Sequence, residues 1–333
     1  MRAPGFWNHD GWLARTLTPL STVVAASTRR RVACVGWRAP IPVICCGNAT
    51  VGGAGKTTLA LDLARRLTMR GIAVHILSRG YRGAARGSHR VTPRDTAAVA
   101  GDEALLLARV APTWTGADRA DSARDAIAAG AEVLLMDDGL QNPTLMKTMS
   151  LLVVDGTTGF GNGRVMPAGP LREPVEAAAS RCRAAVVIGP DSAGAQARLP
   201  ARLPVLHADL VQSDEIAGLI GRRVVAFAGI AHPEKFFLGL ERAGVLLVRR
   251  VGFADHHVFS AGELADLHAR AKAADAILVT TPKDAVRLPA QMPVQIVGVR
   301  LIWKSEAAIE ALLDELTAAP SPIPAPRPGS SMA

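Results

Sequence analysis

A glycine-rich segment that ends in Gly-Lys-Thr is the part of the chain best suited to bind phosphate. Residues 50–57 read Thr-Val-Gly-Gly-Ala-Gly-Lys-Thr, after the apolar run Val43–Cys46 and before a helical run that opens at Leu59. Glycines let backbone N–H groups curl around phosphate oxygens, and the helix N-terminus adds its positive dipole end. Strand, turn and helix in this order predict a P-loop, although Thr50 stands where the usual pattern has its first glycine.

This loop predicts ATP and Mg²⁺ as cofactors. Lys56 would reach the β- and γ-phosphates, and the hydroxyl of Thr57 would ligate Mg²⁺. The predicted nucleotide-binding residues are Thr50, Val51, Gly52, Gly53, Ala54, Gly55, Lys56 and Thr57.

Two adjacent aspartates supply the acid that such an enzyme needs for its metal. The apolar run Val133–Met136 predicts a buried strand, and Asp137-Asp138-Gly139 follows it directly. An acid at this place would hold Mg²⁺ directly or through water and so neutralise the transferring phosphoryl group. The alternative is a polar cap on the end of a strand.

A kinase also needs a carboxylate to accept the proton of the attacking hydroxyl. Gly101-Asp102-Glu103 opens a helical run over 104–110, and Asp102 is the candidate base. Acids at a helix N-terminus more often act as caps and dipole partners, which is the alternative. Asp255-His256-His257 follows much later, and a histidine there could close on Asp102 across a cleft and orient it. A surface turn is the plain alternative for that segment.

Residues 160–174 form a long loop, fixed by glycine and proline, that carries Arg164 and Arg172. In open α/β folds ligands collect at the carboxyl edge of the sheet, where this loop is expected. Arg172 could clamp the γ-phosphate or an anionic group of a substrate. A rigid loop with a salt bridge through Glu173 is the alternative.

The elements that position these residues alternate between short apolar strands and helices. This pattern predicts an α/β fold: a P-loop NTPase-type, mostly parallel sheet with helices on both faces, and a second smaller α/β lobe. The predicted domains are an N-terminal helix over 1–31, a P-loop core over 32–204, a smaller lobe over 205–318 and a disordered tail over 319–333. The predicted strands are Val43–Cys46, Val74–Leu77, Val133–Met136, Leu151–Val154, Ala185–Ile188, Val224–Ala228 and Ala276–Thr280.

The composition of the chain limits the classes of molecule that it could bind. The net charge of +9 over 333 residues fits nucleic acid, anionic lipid head groups or a phosphorylated substrate, but aromatics make up only 4%. No basic stretch is interleaved with aromatic residues, so nucleic acid is the least favoured. We find no apolar run of about 18 residues and no secretory signal, which predicts a chain that stays in the cytoplasm without spanning a bilayer.

The N-terminal segment has a pattern of its own. Apolar residues recur at helical spacing from Phe6 to Val24, with tryptophan nearby and Arg29–Arg31 behind them. Tryptophan with a trailing basic cluster is typical of a helix that lies in a membrane interface. An ordinary amphipathic helix docked on the core is the alternative, and Pro19 interrupts the pattern.

Together these segments resemble one family, the tetraacyldisaccharide 4'-kinases, over nearly the whole chain to about residue 290. The set in this order is far more specific than a P-loop alone. It consists of Phe6-Trp7, residues 47–57, Ser78-Arg79-Gly80-Tyr81, Gly101-Asp102-Glu103, residues 137–141, Val154-Asp155-Gly156, residues 160–174, residues 227–230, Asp255-His256 and Lys283-Asp284.

The resemblance implies transfer of the ATP γ-phosphoryl group to the 4'-position of a tetraacylated glucosamine disaccharide 1-phosphate, at the cytoplasmic face of the inner membrane. It implies that Asp102 is the catalytic base, with His256 as its partner, that Asp137 and Asp138 anchor Mg²⁺, and that residues 6–24 form a membrane anchor. To these we add Lys56 and Arg172 as catalytic residues and Thr57 and Glu103 as metal ligands. The chain departs from the family at three positions, Asn142, His232 and Pro282.

Three rival classes remain at this point. A GTPase is disfavoured because the sequence has no clear Asn-Lys-x-Asp motif to read the base; Thr281-Pro282-Lys283-Asp284 is the nearest. A deviant P-loop switch ATPase acting at the membrane surface would carry lysine where Val51 stands, and its absence disfavours that class. A scaffold that binds ATP without turnover is disfavoured by the presence of Lys56, Thr57, Asp102 and Asp137 together.

Overall fold

The computed structural model describes residues 4–81, 83–289 and 291–318; the predicted disordered tail lies outside them. The described strands are β1 (Val43–Gly47), β2 (Val74–Ser78), β3 (His89–Arg90), β4 (Thr113–Thr115), β5 (Val133–Asp137), β6 (Met149–Asp155), β7 (Ala184–Ile188), β8 (Val205–Gln212), β9 (Arg223–Ala228), β10 (Leu246–Gly252), β11 (Ile277–Thr280), β12 (Gln295–Ile296) and β13 (Val299–Trp303). The described α-helices are α1 (Trp12–Thr16), α2 (Thr18–Val32), α3 (Lys56–Met69), α4 (Ala97–Ala100), α5 (Asp102–Ala108), α6 (Arg119–Ala128), α7 (Val175–Ala179), α8 (Pro233–Arg242), α9 (Ala261–Ala273), α10 (Pro282–Ala285) and α11 (Glu306–Ala318).

The larger sheet places β1 near its centre. Among the described residues it has nine strands in the order β13-β8-β7-β6-β1-β5-β2-β4-β3, and only the pairs β13–β8 and β3–β4 are antiparallel. Every residue of β1 is buried, because alternate side chains enter opposite cores: Ile44 and Cys46 one core, Val43 and Cys45 the other.

Helices cover both faces of this sheet. Side chains of α3, α5 and α11 complete one core, and side chains of α6 and α7 complete the other. The predicted fold, a mostly parallel sheet with helices on both faces, is confirmed.

A second sheet of four parallel strands, in the order β10-β9-β11-β12 among the described residues, forms the smaller lobe. Helix α8 packs on one face and α9 on the other. Helix α9 begins with a capping box in which Ser260 and Glu263 satisfy each other's backbone N–H groups.

The two sheets do not divide the chain at the predicted boundary after residue 204. Strand β8 belongs to the larger sheet, and β13 returns to pair with it antiparallel, with Leu301 opposite Leu210. The segment that returns to the larger sheet, β13 with α11, is stabilised there. Helix α11 buries apolar side chains in the same core as α3, and Glu310 pairs with Arg66 at 2.5 Å. The smaller sheet therefore lies between β8 and β13 in the chain.

The two connections between the sheets run side by side. The backbone N–H of Ser213 donates to the carbonyl of Gly298 at 3.0 Å, and the N–H of Gly298 donates to Oγ of Ser213 at 2.9 Å. The two chain connections between the lobes are thus bonded to each other where they cross.

The predicted N-terminal helix is divided into a 3₁₀ turn at Gly5–Asn8 followed by α1 and α2, and Pro19 lies in the first turn of α2. Proline is tolerated there because the first N–H groups of a helix have no partner within the helix. In the described ranges, no helix has the length and apolar character needed to cross a membrane.

Candidate active site

The phosphate loop joins β1 to α3 at the carboxyl end of β1. Its backbone is left-handed at Gly52 (φ +115°) and Gly55 (φ +90°), where glycine is least costly. A Cβ atom at Gly55 would lie 2.7 Å from Cδ1 of Ile188, so space as well as conformation favours glycine. Because α3 begins at Lys56, its unpaired first-turn N–H groups lie at the loop, which suits it to an anion.

Lys56 and Arg172 meet at Asp138. Nζ of Lys56 lies 3.6 Å from Oδ1 of Asp138, and the guanidinium of Arg172 donates to both carboxylate oxygens, at 2.8 and 3.1 Å. Burial raises the pKa of Asp138, but the charges of Lys56 and Arg172 outweigh burial and hold the pKa below its ordinary value. Two cations are thereby gathered beside the phosphate loop.

The backbone of the 160–174 loop is bonded to the phosphate loop. The N–H of Arg172 donates to the carbonyl of Ala49 at 2.6 Å, and the N–H of Val51 donates to the carbonyl of Pro170 at 2.8 Å. These bonds fix the guanidinium of Arg172 relative to the glycine turn.

A buried carboxylate, Glu173, helps to hold the 160–174 loop against the phosphate loop. It accepts hydrogen bonds from Gln141 at 2.8 Å and from Arg181 at 2.7 Å, and Gln141 also donates to the carbonyl of Asn48 at 2.9 Å. The alternative of a loop fixed through Glu173 is thus partly realised, but its partner is Arg181, while Arg172 pairs with Asp138.

Asp137 is placed to take part in binding a cation. Its Oδ2 accepts from Oγ1 of Thr57 at 3.0 Å, while the buried Oδ1 has no hydrogen-bond partner within the described part of the chain. Burial, together with the nearby carboxylates of Glu103 and Asp138, raises the pKa of Asp137 to about 7. A buried carboxylate oxygen without a donor, beside a threonine hydroxyl, fits Mg²⁺, which binds one or two carboxylates and keeps its remaining sites for waters and phosphates. The described residues contain no cluster of three or more His, Cys, Asp or Glu at metal-binding distance.

Asp102 and His256 come together from the two lobes. Asp102 opens α5 beside the larger sheet, and His256 lies in the turn between β10 and α9 of the smaller lobe. Nδ1 of His256 lies 2.7 Å from Oδ2 of Asp102, whose Oδ1 accepts from the N–H of Glu103 at 3.0 Å. Burial raises the pKa of Asp102, but the hydrogen bond from His256 and the charges of Lys283 and His256 hold it below the ordinary value of 3.8. Asp102 is therefore ionised at neutral pH.

Lys283 connects this pair to Glu103. Its Nζ lies 3.5 Å from Nε2 of His256 and 3.5 Å from Oε1 of Glu103. Sequence reasoning gave Lys283 no role; its place directly after β11, at the carboxyl edge of the smaller sheet, was the available signal.

Arg119 is a second residue that sequence reasoning missed. It is only 2% exposed at the first position of α6, and burial lowers its pKa to about 10, although the nearby charge of Asp138 opposes the shift. Its guanidinium donates to the carbonyl of Gly116. Asn142, where the chain departs from the family pattern, accepts from the N–H of Thr144 at 3.1 Å and so fixes its own turn.

A strand, glycine turn and helix, with two cations beside the turn and an acid at the end of the neighbouring strand, define a P-loop nucleotide-binding protein. The family model described as tetraacyldisaccharide-1-P 4'-kinase matches residues 13–318, so the chain belongs to this family. It is 55% identical over 319 residues to the tetraacyldisaccharide 4'-kinase of Gluconacetobacter diazotrophicus, with 94% of this chain and 98% of the relative covered. It is 50% identical over 327 residues to that of Gluconobacter oxydans, with 96% and 99% covered.

A solved structure of the same family is also similar to this chain. The LpxK of Aquifex aeolicus, in complex with ATP, has a TM-score of 0.75 to this chain at 25% identity, over 91% of this chain and 99% of that one. The resemblance stated from the sequence is confirmed, and so is the enzyme class: the chain is an ATP-dependent lipid kinase of lipid A biosynthesis. The switch ATPase is not supported.

Proposed function

We propose that the chain transfers the γ-phosphoryl group of ATP to the 4'-hydroxyl of a tetraacylated glucosamine disaccharide 1-phosphate, with Asp102 as the base. The relatives' identity as tetraacyldisaccharide 4'-kinases supports this choice of substrate. The observation that carries the mechanism is the contact between Asp102 and His256, which brings a buried, ionised carboxylate to the cleft between the lobes. A hydroxyl bound there would meet a proton acceptor on one side and the phosphate loop on the other.

The residues of the phosphate loop neutralise charge. Lys56 and Arg172 stand beside the glycine turn, where the charge of a transferring phosphoryl group spreads over its oxygens. Thr57 and Asp137 would hold Mg²⁺, which when bound supplies further positive charge at the phosphates. Glu103 remains a proposed member of that set; it lies close enough to raise the pKa of Asp137, and its carboxylate is paired with Lys283.

His256 orients the base. An ionised carboxylate can only accept hydrogen bonds, so Nδ1 of His256 must carry the hydrogen that it shares with Asp102. This bond fixes one oxygen of Asp102, and the N–H of Glu103 fixes the other. The carboxylate then presents a defined direction to the attacking hydroxyl.

The proposed place of action is the cytoplasmic face of the inner membrane, to which the N-terminal segment would attach the protein peripherally. Helix α2 leaves apolar side chains exposed: Leu20 and Val23 are 57% and 66% exposed, while Val24 and Ala25 pack against the core. Trp12 is 76% exposed. Apolar side chains facing out, with an exposed basic cluster at the end of the helix, suit an interface rich in anionic lipid.

The kinase reaction is tested with labelled γ-phosphate. Mg-ATP labelled in this position is incubated with the tetraacyldisaccharide 1-phosphate in mixed micelles, with Lys56→Ala and Asp102→Ala beside the unaltered protein. We expect label in the lipid for the unaltered protein and its loss in both variants. Label released only as inorganic phosphate by the unaltered protein would contradict the proposal.

Membrane attachment is tested by co-sedimentation with vesicles of phosphatidylglycerol and phosphatidylethanolamine. The double variant Leu20→Ser and Val23→Ser should bind less, while Ile220→Ser, at an apolar residue 58% exposed in the smaller lobe, should bind as the unaltered protein does. Equal binding by all three proteins would contradict a membrane role for α2.

A further inference from the structure

The short helix α10, directly after β11, carries a buried polar network behind the cleft. Oγ1 of Thr281 accepts from the N–H of Asp284 at 3.1 Å and donates to its Oδ2 at 2.6 Å. Pro282, one of the departures from the family pattern, occupies the first turn of this helix. The sequence Thr-Pro-Lys-Asp thus closes a single rigid turn.

Asp284 links this turn to the end of β9. Its side chain has no exposure to solvent, and its Oδ1 accepts from the N–H of Gly229 at 2.9 Å and from Nη2 of Arg287 at 2.5 Å. Both carboxylate oxygens are therefore satisfied, as a buried carboxylate requires. A Cβ atom at Gly229 would lie 3.0 Å from Oδ1 of Asp284, so the close approach favours glycine.

Arg287 continues the network to the turn that carries His256. Its side chain is 5% exposed, Nη1 donates to the carbonyl of His257 at 3.2 Å, and Nη2 donates to the carbonyl of Gly229 at 3.1 Å. The same carbonyl of Gly229 accepts from the N–H of His256 at 3.1 Å. The guanidinium thus holds the turn directly at His257 and, through the carbonyl of Gly229, at the N–H of His256.

His256 needs such support because its backbone is left-handed, with φ of +60°. A side chain other than glycine is disfavoured in this region, and the conformation persists only where its surroundings over-determine it. If the turn relaxed, the imidazole would move off the 2.7 Å contact with Asp102.

The same guanidinium lies behind the base. Nη1 of Arg287 is 4.0 Å from Oδ2 of Asp102, too far for a hydrogen bond but close enough for its charge to act. Since Asp284 and two backbone carbonyls hold the guanidinium, it does not take the place of His256 at Asp102.

We propose that Arg287 is a positioning residue for the kinase reaction, which fixes the His256 turn and thereby the contact between His256 and Asp102. This inference rests on the proposed role of Asp102 as base. Arg287 acts through His256 and needs no contact with ATP or with the lipid. A lysine cannot replace it, because a single ammonium lacks the fork that serves two carbonyls and a carboxylate at once.

The first test compares Arg287→Met and Arg287→Lys with the unaltered protein. We expect kcat to fall on the order of 10- to 100-fold in Arg287→Met, since small displacements of a catalytic group cost about that much, while KM for ATP changes little. Arg287→Lys should recover only part of the loss. Arg223→Met is the matched control, because Arg223 also donates to a backbone carbonyl, that of Ala274 at 3.0 Å, but at the opposite end of β9. It should keep kcat.

The second test is a double-mutant cycle with Asp102→Asn. If Arg287 acts through the base, Arg287→Met should lower kcat little further once Asp102 is altered. Losses that multiply in full, or an unchanged kcat in Arg287→Met, would overturn the proposal. Thermal unfolding and ATP binding report whether each variant folds; if Arg287→Met does not fold, the cycle is run with Arg287→Lys and decides in the same way.

The two proposals fail differently. If Asp102→Asn keeps the full kcat, the base assignment falls and takes this inference with it. If Asp102→Asn loses kcat but Arg287→Met and Arg287→Lys do not, only the role of Arg287 is lost.

Discussion

The phosphate-binding half and the proton-accepting half of the site are built in opposite ways. The phosphate-binding half comes from the carboxyl ends of two strands, β1 and β5, that are neighbours in one sheet: Lys56 and Thr57 follow β1, Asp137 ends β5 and Asp138 comes directly after it. Asp102 and His256 are 154 residues apart and reach each other from different lobes. The first half is therefore complete within the larger sheet, whereas the second exists only while the two lobes are in contact.

This difference separates what binds nucleotide from what performs transfer. A protein whose lobes moved apart would keep its phosphate loop, its cations and its metal-binding acid. It would lose the oriented base. The comparison predicts that changes in the two halves affect binding and turnover differently.

The largest effect is expected for Asp102→Asn. The amide keeps the size of the side chain but accepts no proton, so kcat should fall by about 10²- to 10⁴-fold while the Kd for ATP stays near its original value. Phosphate transfer under saturating substrates and nucleotide binding by calorimetry measure the two quantities. A variant that lost ATP affinity in parallel with kcat would show that the two halves are not separable.

The next largest effect is expected for Lys56→Met, which should change both kcat and the Kd for ATP. Removing a charge that acts on the phosphates is expected to lower kcat by about 10²- to 10³-fold and to weaken ATP binding as well. Unchanged ATP affinity in this variant would contradict the assignment of Lys56 to the phosphate-binding half.

Glu173→Gln tests whether the phosphate-binding half depends on the buried pair of Glu173 and Arg181. The change leaves Arg181 without its carboxylate beneath the loop, and we expect a loss of about 1–3 kcal/mol in the free energy of unfolding. Denaturant unfolding measures it, with Arg183→Gln as control, because Arg183 pairs with Glu315 at the surface. An equal loss in both variants would count against a special role for the buried pair.

The smallest effect is expected at a second contact between the lobes. Lys235 of α8 donates to Oδ2 of Asp155, at the end of β6, at 2.9 Å. Since the lysine side chain is 58% exposed, Lys235→Met should cost only about 0.2–1 kcal/mol.

The pH dependence of this pair has a definite sign. Burial raises the pKa of Asp155, but its bonds from Thr157 and Lys235 hold the pKa below the ordinary 3.8. The stabilisation is therefore complete above about pH 4 and is lost as the pH falls through the lowered value. Thermal unfolding should show a difference between Lys235→Met and the unaltered protein that shrinks below pH 4; a difference that grows there would contradict the assignment.

The phosphate-binding half could be predicted from the sequence because its signals are local. Strand, glycine turn and helix are adjacent in the chain, and the continuous burial of β1 and β5 follows from a sheet covered on both faces. The fold class and family were predicted for the same reason. The roles assigned to the individual site residues remain predictions.

What the sequence could not show depends on contacts distant along the chain. The pairing of β13 with β8 moves the division between the sheets beyond residue 204, and no local pattern near Val205 announces a strand whose partner is formed about 90 residues later. The network from Asp284 through Arg287 to His257 likewise joins polar residues whose spacing in the sequence does not indicate that they are in contact.

The paired crossing at Ser213 and Gly298 lies on the same side of the smaller lobe as the base. A Cβ atom at Gly298 would lie 3.1 Å from Cγ of Pro282, and the next residue, Lys283, has its Nζ 3.5 Å from Nε2 of His256. The chain therefore enters and leaves the smaller lobe beside the contact between His256 and Asp102. Because the two connections are bonded to each other there, they limit how far the lobes can separate at the point where the base is oriented.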